Sequence, residues 1–163
     1  MPAADPNETT LNRFIAAVNE HPKSLTSLNE VMATFAPNAR VGITHYGPQF
    51  VGFGEVQRLF RQLFFSFPDL TFTEQPNNKR LFSADETTIG TQVILAGSHK
   101  GVWFAKGTPY YSPPLSNIAP DATRMMHLDA CAVFIFDNKK IYQLAIYFDR
   151  YLMAQHLAPV SEP

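Results

Sequence analysis

Asp149 ends a run, Ile141 to Phe148, in which nearly every residue is β-branched, aromatic or apolar. A carboxylate at the mouth of an aromatic pocket loses water, holds its proton more tightly and can exchange it near neutrality. Upstream, His127 and Asp129 alternate on one strand face with Met125, Cys131, Val133 and Ile135, while Met126, Leu128, Ala130, Ala132, Phe134 and Phe136 form the other. Two ionisable groups on so greasy a strand need each other, a substrate or solvent. His99 falls in register with Ile89, Val93 and Leu95, which puts an imidazole on an apolar face. Arg40 could stabilise an enolate oxygen. Arg40 and His45 lie on opposite faces of one regular strand, so both cannot point inward. Tyr110 and Tyr111 can close over a substrate, and Trp103 is expected in a pocket wall. Each of these has a structural counterpart: Asp149 can cap a helix beginning at Arg150, His99 can be a core histidine, and Arg40 can simply be solvated.

Other chemistries lack their signatures. The histidines show neither His-x-His nor His-x-x-x-His spacing, so no metal site is expected. No Gly-rich phosphate loop and no G-x-S-x-G elbow is present, and no cofactor is implied. Cys131 is the single cysteine and reads as a small core residue. Thirteen basic and fourteen acidic residues leave the chain near neutral, without the electrostatic footprint for nucleic acid or an acidic membrane. The first residues lack the basic and apolar regions of a signal peptide, and no apolar run reaches transmembrane length. A cytoplasmic location is therefore expected. What remains is proton transfer on a small molecule in a shaped pocket.

The 163 residues suit one domain. Residues 1–8 read as a loose arm. Leu11, Phe14, Ile15 and Val18 predict a first helix; Leu25, Leu28, Met32 and Phe35 a second, capped by Ser24; and Val56, Leu59, Phe60, Leu63, Phe64 and Phe67 a third. Arg40–Tyr46 reads as a strand, with a short extended piece at Phe50–Val51. From Leu70 the period changes to two, with strands at Leu70–Glu74, Glu86–His99, Thr123–Phe136 and Ile141–Phe148, and a tight turn at Asp137–Lys139. Segment 106–121, rich in Pro and Tyr, reads as an ordered loop or lid. Three helices followed by long antiparallel strands predict an α+β domain. On the closing strand, Tyr142, Leu144, Ile146 and Phe148 form a dry face, and Gln143, Ala145, Tyr147 and Asp149 a mixed one. The mixed face, carrying Tyr147 and Asp149, is expected to look into the cavity.

Four phrases carry a family resemblance. Phe50-Val51-Gly52-Phe53-Gly54-Glu55-Val56, followed by Phe67-Pro68-Asp69-Leu70, resembles the "F-x-G-x-x-x-I … F-P-D-L" phrase of the SnoaL-like polyketide cyclases, members of the NTF2-like superfamily. Gly97-Ser98-His99-Lys100-Gly101 resembles their "G-T-H-x-G" strand. Lys140-Ile141 through Asp149-Arg150 to Gln155-His156-Leu157 resembles their closing "G-K-I … D … Q-L-G". With the order of helices and strands, the resemblance spans about residues 11 to 158.

The resemblance implies an NTF2-like (cystatin-like) α+β cone, with helices packed on a strongly curved, mostly antiparallel sheet around one pocket. It also implies a homodimer through the outer sheet face and cofactor-free acid–base cyclisation or isomerisation of a polyketide-type intermediate. Asp149 matches the proton acceptor and donor. His99, His127 and Asp129 are its candidate catalytic partners. Arg40, His45, Trp103, Tyr110, Tyr111 and Tyr147 are candidate substrate contacts. The chain departs from the pattern where many relatives carry Arg or His, a position occupied here by Ile135, and in segment 106–121. The same scaffold serves dehydratases, epoxide hydrolases (for which Arg40, Asp129 and Asp149 could supply an acid–arginine–acid relay) and non-catalytic dimeric ligand binders.

Overall fold

The computed structural model describes residues 5–43, 49–111 and 115–158. Helix α1 (Pro6–Asn19) starts earlier than its apolar stripe suggests. Asp5 accepts the Asn7 N–H at 2.9 Å and Pro6 presets the first turn. Pro6 to Glu8, read as part of an arm, are therefore helical. Ser24 and Ser27 exchange capping bonds at the start of α2 (Leu25–Met32). Helix α3 (Phe53–Ser66) springs from Gly52, whose φ of 90° suits glycine. The strands are β1 (Phe35–Ile43), β2 (Gln49–Val51), β3 (Thr71–Glu74), β4 (Leu81–Phe82), β5 (Thr88–His99), β6 (Asp121–Asp137) and β7 (Lys140–Tyr147). Helix α4 (Arg150–Leu157) closes the described chain. Phe35, the last member of the second helical stripe, instead opens β1.

The sheet runs β2-β1-β7-β6-β5-β3, with β4 also on β5, and every pairing is antiparallel except β1 with β7. Register shifts interrupt β1–β7 between Phe35 and Arg40, β5–β6 between Ser98 and His99, and β6–β7 between Ile135 and Phe136. Such bulges bend strands and increase twist, which curves the sheet around its helices.

Helices cover one sheet face. Ile89, Val93 and Leu95 of β5, Met126 to Phe136 at every second position of β6, and Ile141, Leu144 and Ile146 of β7 are buried there. At the centre Phe14 meets Phe35, Phe60, Phe72 and Phe134 edge-on, with ring centroids 5.5–5.9 Å apart. Around the rim, Arg80 grips both oxygens of Glu74 at 2.8 Å and reaches Glu8 and Asn12, tying α1 to β3. Glu74 is thereby held below its ordinary value of 4.5, chiefly by the Arg80 hydrogen bond. Its contribution to stability is complete above that value and is lost as pH falls through the lowered one.

Two of the family-like phrases turn out to pack on each other. Asp69 accepts the Ser98 N–H at 2.7 Å and the Ser98 hydroxyl at 2.6 Å. A Cβ on Gly97 would lie 3.1 Å from the Phe67 Cβ and 3.3 Å from the Leu70 Cα. Gly101 is tighter, since a Cβ there would sit 2.6 Å from the Phe65 carbonyl oxygen. Because that neighbour is backbone, Gly101→Ala is expected to destabilise by about 1–3 kcal/mol. Urea denaturation checks this, and an unchanged midpoint would refute the packing.

Candidate functional site

Between the helices and the sheet lies a narrow apolar cavity of about 40 Å³. Its wall draws on α1 (Phe14, Val18), α3 (Phe60, Leu63), β1 (Ile43), β5 (Leu95), β6 (Met126), β7 (Ile146) and α4 (Met153), with Leu70, Phe72, Trp103 and Phe148 completing it. Every described lining residue is apolar or aromatic.

The sequence-predicted residues distribute unevenly about it. Trp103 lines the cavity as expected. His99 is buried on the inner face, in register with Ile89, Val93 and Leu95. Its ring stacks on Phe67 at 5.5 Å. Burial lowers its pKa from 6.5, opposed by the Gly101 backbone and the charge of Asp121. Below pH 6.5 the unfolded chain takes up a proton that folded His99 resists, so stability falls on acidification towards the lowered value. His99→Leu should flatten the stability profile between about pH 7 and pH 5, read from urea midpoints; an unchanged slope would exclude the effect.

His127 and Asp129 point the other way. Both are exposed on the outer sheet face, where Asp129 accepts a hydrogen bond from the Gln75 amide at 2.9 Å. Their alternation was legible, but the dry face of β6 is the one that meets helices and cavity. Cys131 accompanies them outward and is exposed rather than core. Arg40 is likewise outward, over the Tyr142 ring at 5.6 Å, so it does not reach the cavity. The acid–arginine–acid relay is therefore not assembled.

Strand β7 corrects the opening expectation. Leu144 and Ile146 are its inward residues, and Ile146 and Phe148 line the cavity. Tyr147, paired with Cys131, lies outside. Tyr142, grouped with the dry face by strict alternation, is displaced by the bulge beside Ile141. Asp149 is exposed and caps α4, its Oδ1 accepting the N–H groups of Tyr151 at 2.8 Å and Leu152 at 3.1 Å. It stands in sequence between two lining residues, Phe148 and Met153, and is not itself part of the wall. Both cap bonds converge on Oδ1, which keeps Oδ2 outside the cap.

Tyr110 stacks on Phe50 at 4.8 Å and touches Phe104, and the Tyr111 hydroxyl donates to Asn117. Both order the strap between β5 and β6 and line no part of the cavity. His45 lies outside the described residues. Of the described lining residues only Trp103 was expected in the wall; the other twelve, Phe14, Leu95, Ile146 and Met153 among them, are apolar, with no chemical signature to mark them. Among the described residues no group of His, Cys, Asp and Glu could hold a metal ion. Among them, too, no helix is long and apolar enough to cross a membrane.

Solved structures share this arrangement. A protein from Jannaschia sp. CCS1, proposed to be a SnoaL-like polyketide cyclase, superposes with a TM-score of 0.74 at 14% identity, covering 100% of this chain and 97% of that one. A proposed polyketide cyclase from Pseudomonas putida KT2440 gives 0.70 at 14% identity, over 96% and 100%. The fold is theirs. A Catenulispora acidiphila protein with a ketosteroid isomerase-like fold, in complex with trimethylamine, gives 0.64 at 12% identity, over 94% and 97%. Neither a family model nor a curated protein sequence matches the chain. The curved α+β architecture expected from four short phrases is thus the architecture observed.

Proposed function

We propose that the protein takes a compact, largely apolar molecule, a polyketide-type or related natural-product intermediate, into its cavity and cyclises or isomerises it by cofactor-free proton transfer. The observation that carries this reading is the wall of aromatic and aliphatic side chains converging from helices and sheet. Such a wall selects a fused-ring or hydrocarbon-rich ligand and can fold it so that reacting atoms meet. Asp149 is the proton-transfer group, acting through the oxygen not engaged by the helix cap. The proposed cyclases of the same fold support the reaction class.

A second reading, a carrier that binds without chemistry, is favoured by the engagement of Asp149 Oδ1 in the α4 cap. A host strain lacking the gene, complemented with wild type or Asp149→Asn, separates the two. Accumulation of a metabolite that wild type clears and the variant does not supports the enzyme. Equal clearance by both overturns it. We assign the outer sheet face, with Val133, Ile135, Ala145 and Tyr147 partly or largely uncovered, to a homodimer contact. Sedimentation showing only monomer would remove that assignment.

A further inference from the structure

His99 is fully buried, yet neither ring nitrogen makes a hydrogen bond of acceptable geometry. Buried polar groups are normally matched, and an unmatched one calls for a reason. The Gly101 backbone lies against the ring without reaching hydrogen-bond geometry, and the charged groups around it do not supply the match. Asp121, its register partner across β6, pairs with Arg124 at 3.6 Å; Asp69 is engaged by Ser98; and Lys100 follows on an exposed position.

The imidazole lies one ring behind the cavity wall. On the inward face of β5 it follows Leu95, a lining residue, with only Gly97 between them. The space over Gly97 is taken by Phe67, which stacks on His99 at 5.5 Å and meets Trp103 at 6.4 Å. Trp103 is itself wall. The next residue, Phe104, holds a φ of 37°, an unfavourable left-handed conformation for an aromatic residue. Strain of this kind gathers at active sites, ligand clamps and switch segments.

We propose that His99 is the polar end of the cavity, receiving a hydroxyl or enolisable carbonyl oxygen of an otherwise apolar ligand when Trp103 swings from the wall and Phe67, the ring between them, shifts with it. A neutral imidazole offers one donor and one acceptor, the complement of a hydroxyl; its N–H alone suits a carbonyl or enolate oxygen. His99 is then a substrate-positioning residue that sets which end of the ligand lies beside β5. The inference rests on the cavity being a ligand site.

The test compares 2-methylnaphthalene with 2-naphthol, which match in size but differ by a methyl and a hydroxyl, by calorimetry on wild type and His99→Phe. A phenyl ring preserves the stack on Phe67. The ratio of the two dissociation constants should shift by roughly tenfold against 2-naphthol in the variant, while 2-methylnaphthalene binds both alike. In wild type, 2-naphthol but not 2-methylnaphthalene should move the ¹⁵N resonances of the His99 ring, a readout that does not depend on the variant folding. An unchanged ratio, or ring nitrogens indifferent to 2-naphthol, overturns the assignment of His99 and leaves the cavity reading intact. Failure of both compounds to bind wild type overturns the cavity reading, and this one with it.

Discussion

Phe14→Ala is expected to lower stability by about 3–5 kcal/mol, near the top of the range for truncating a buried aromatic. Phe14 is fully buried and is the ring on which Phe35, Phe60, Phe72 and Phe134 converge edge-on. Its loss removes transfer free energy, four aromatic contacts and the side chain linking α1 to the sheet. It also lines the cavity, so truncation enlarges an existing void that its rigid neighbours cannot refill. Single domains have about 5–15 kcal/mol in total, which leaves the variant close to unfolding at ambient temperature. Urea denaturation measures the loss, and a decrease below about 1 kcal/mol would show that the aromatic cluster is not the core. Because ligand binding stabilises the folded state by mass action, 2-methylnaphthalene should raise the midpoint of the variant as well as that of wild type.

Asp149→Asn carries the second large effect, on turnover rather than stability. Asn ranks with Asp as a helix N-cap, so the bonds to the Tyr151 and Leu152 N–H groups persist and the melting temperature should hold. The amide cannot accept the substrate proton. Loss of a general base lowers turnover by about 10²–10⁴-fold, measured on whichever metabolite accumulates in the deletion strain. Asp149→Ala removes both functions and should add a cost of about 1 kcal/mol from the lost cap. A variant pair in which Asn retains full turnover while Ala loses only stability would identify Asp149 as a cap and nothing more.

The comparison of sequence with structure turns on which face of a strand looks inward. On β5 the reading succeeds, because Ile89, Val93, Leu95 and His99 share one unbroken period-two face and that face is buried. On β6 and β7 the alternation is equally plain, but its direction was inverted. The face carrying ionisable residues is the one expected to meet the cavity, whereas the described wall is apolar and the hydrophobic effect turns the dry face toward it. His127, Asp129 and Tyr147 consequently lie outside. The bulge that displaces Tyr142 has no local sequence signal, since it arises from pairing with a distant strand. The phrase at Phe67–Leu70 and the one at Gly97–Gly101 were legible as family features. Their meaning is packing: a glycine makes room for Phe67, and Asp69 binds Ser98. Asp149 carried both of its readings in the sequence, cap and base. The structure displays the cap, and the base is the proposal.

Trp103, the single tryptophan, is part of the cavity wall, so its emission reports occupancy without a label. Titration of the wild-type protein with 2-methylnaphthalene should quench or shift that emission along a saturable curve, and Leu95→Phe, which fills the cavity from β5, should abolish the response. A signal that stays linear in ligand, or one that survives in Leu95→Phe, would contradict the claim that this cavity is where the protein receives its substrate.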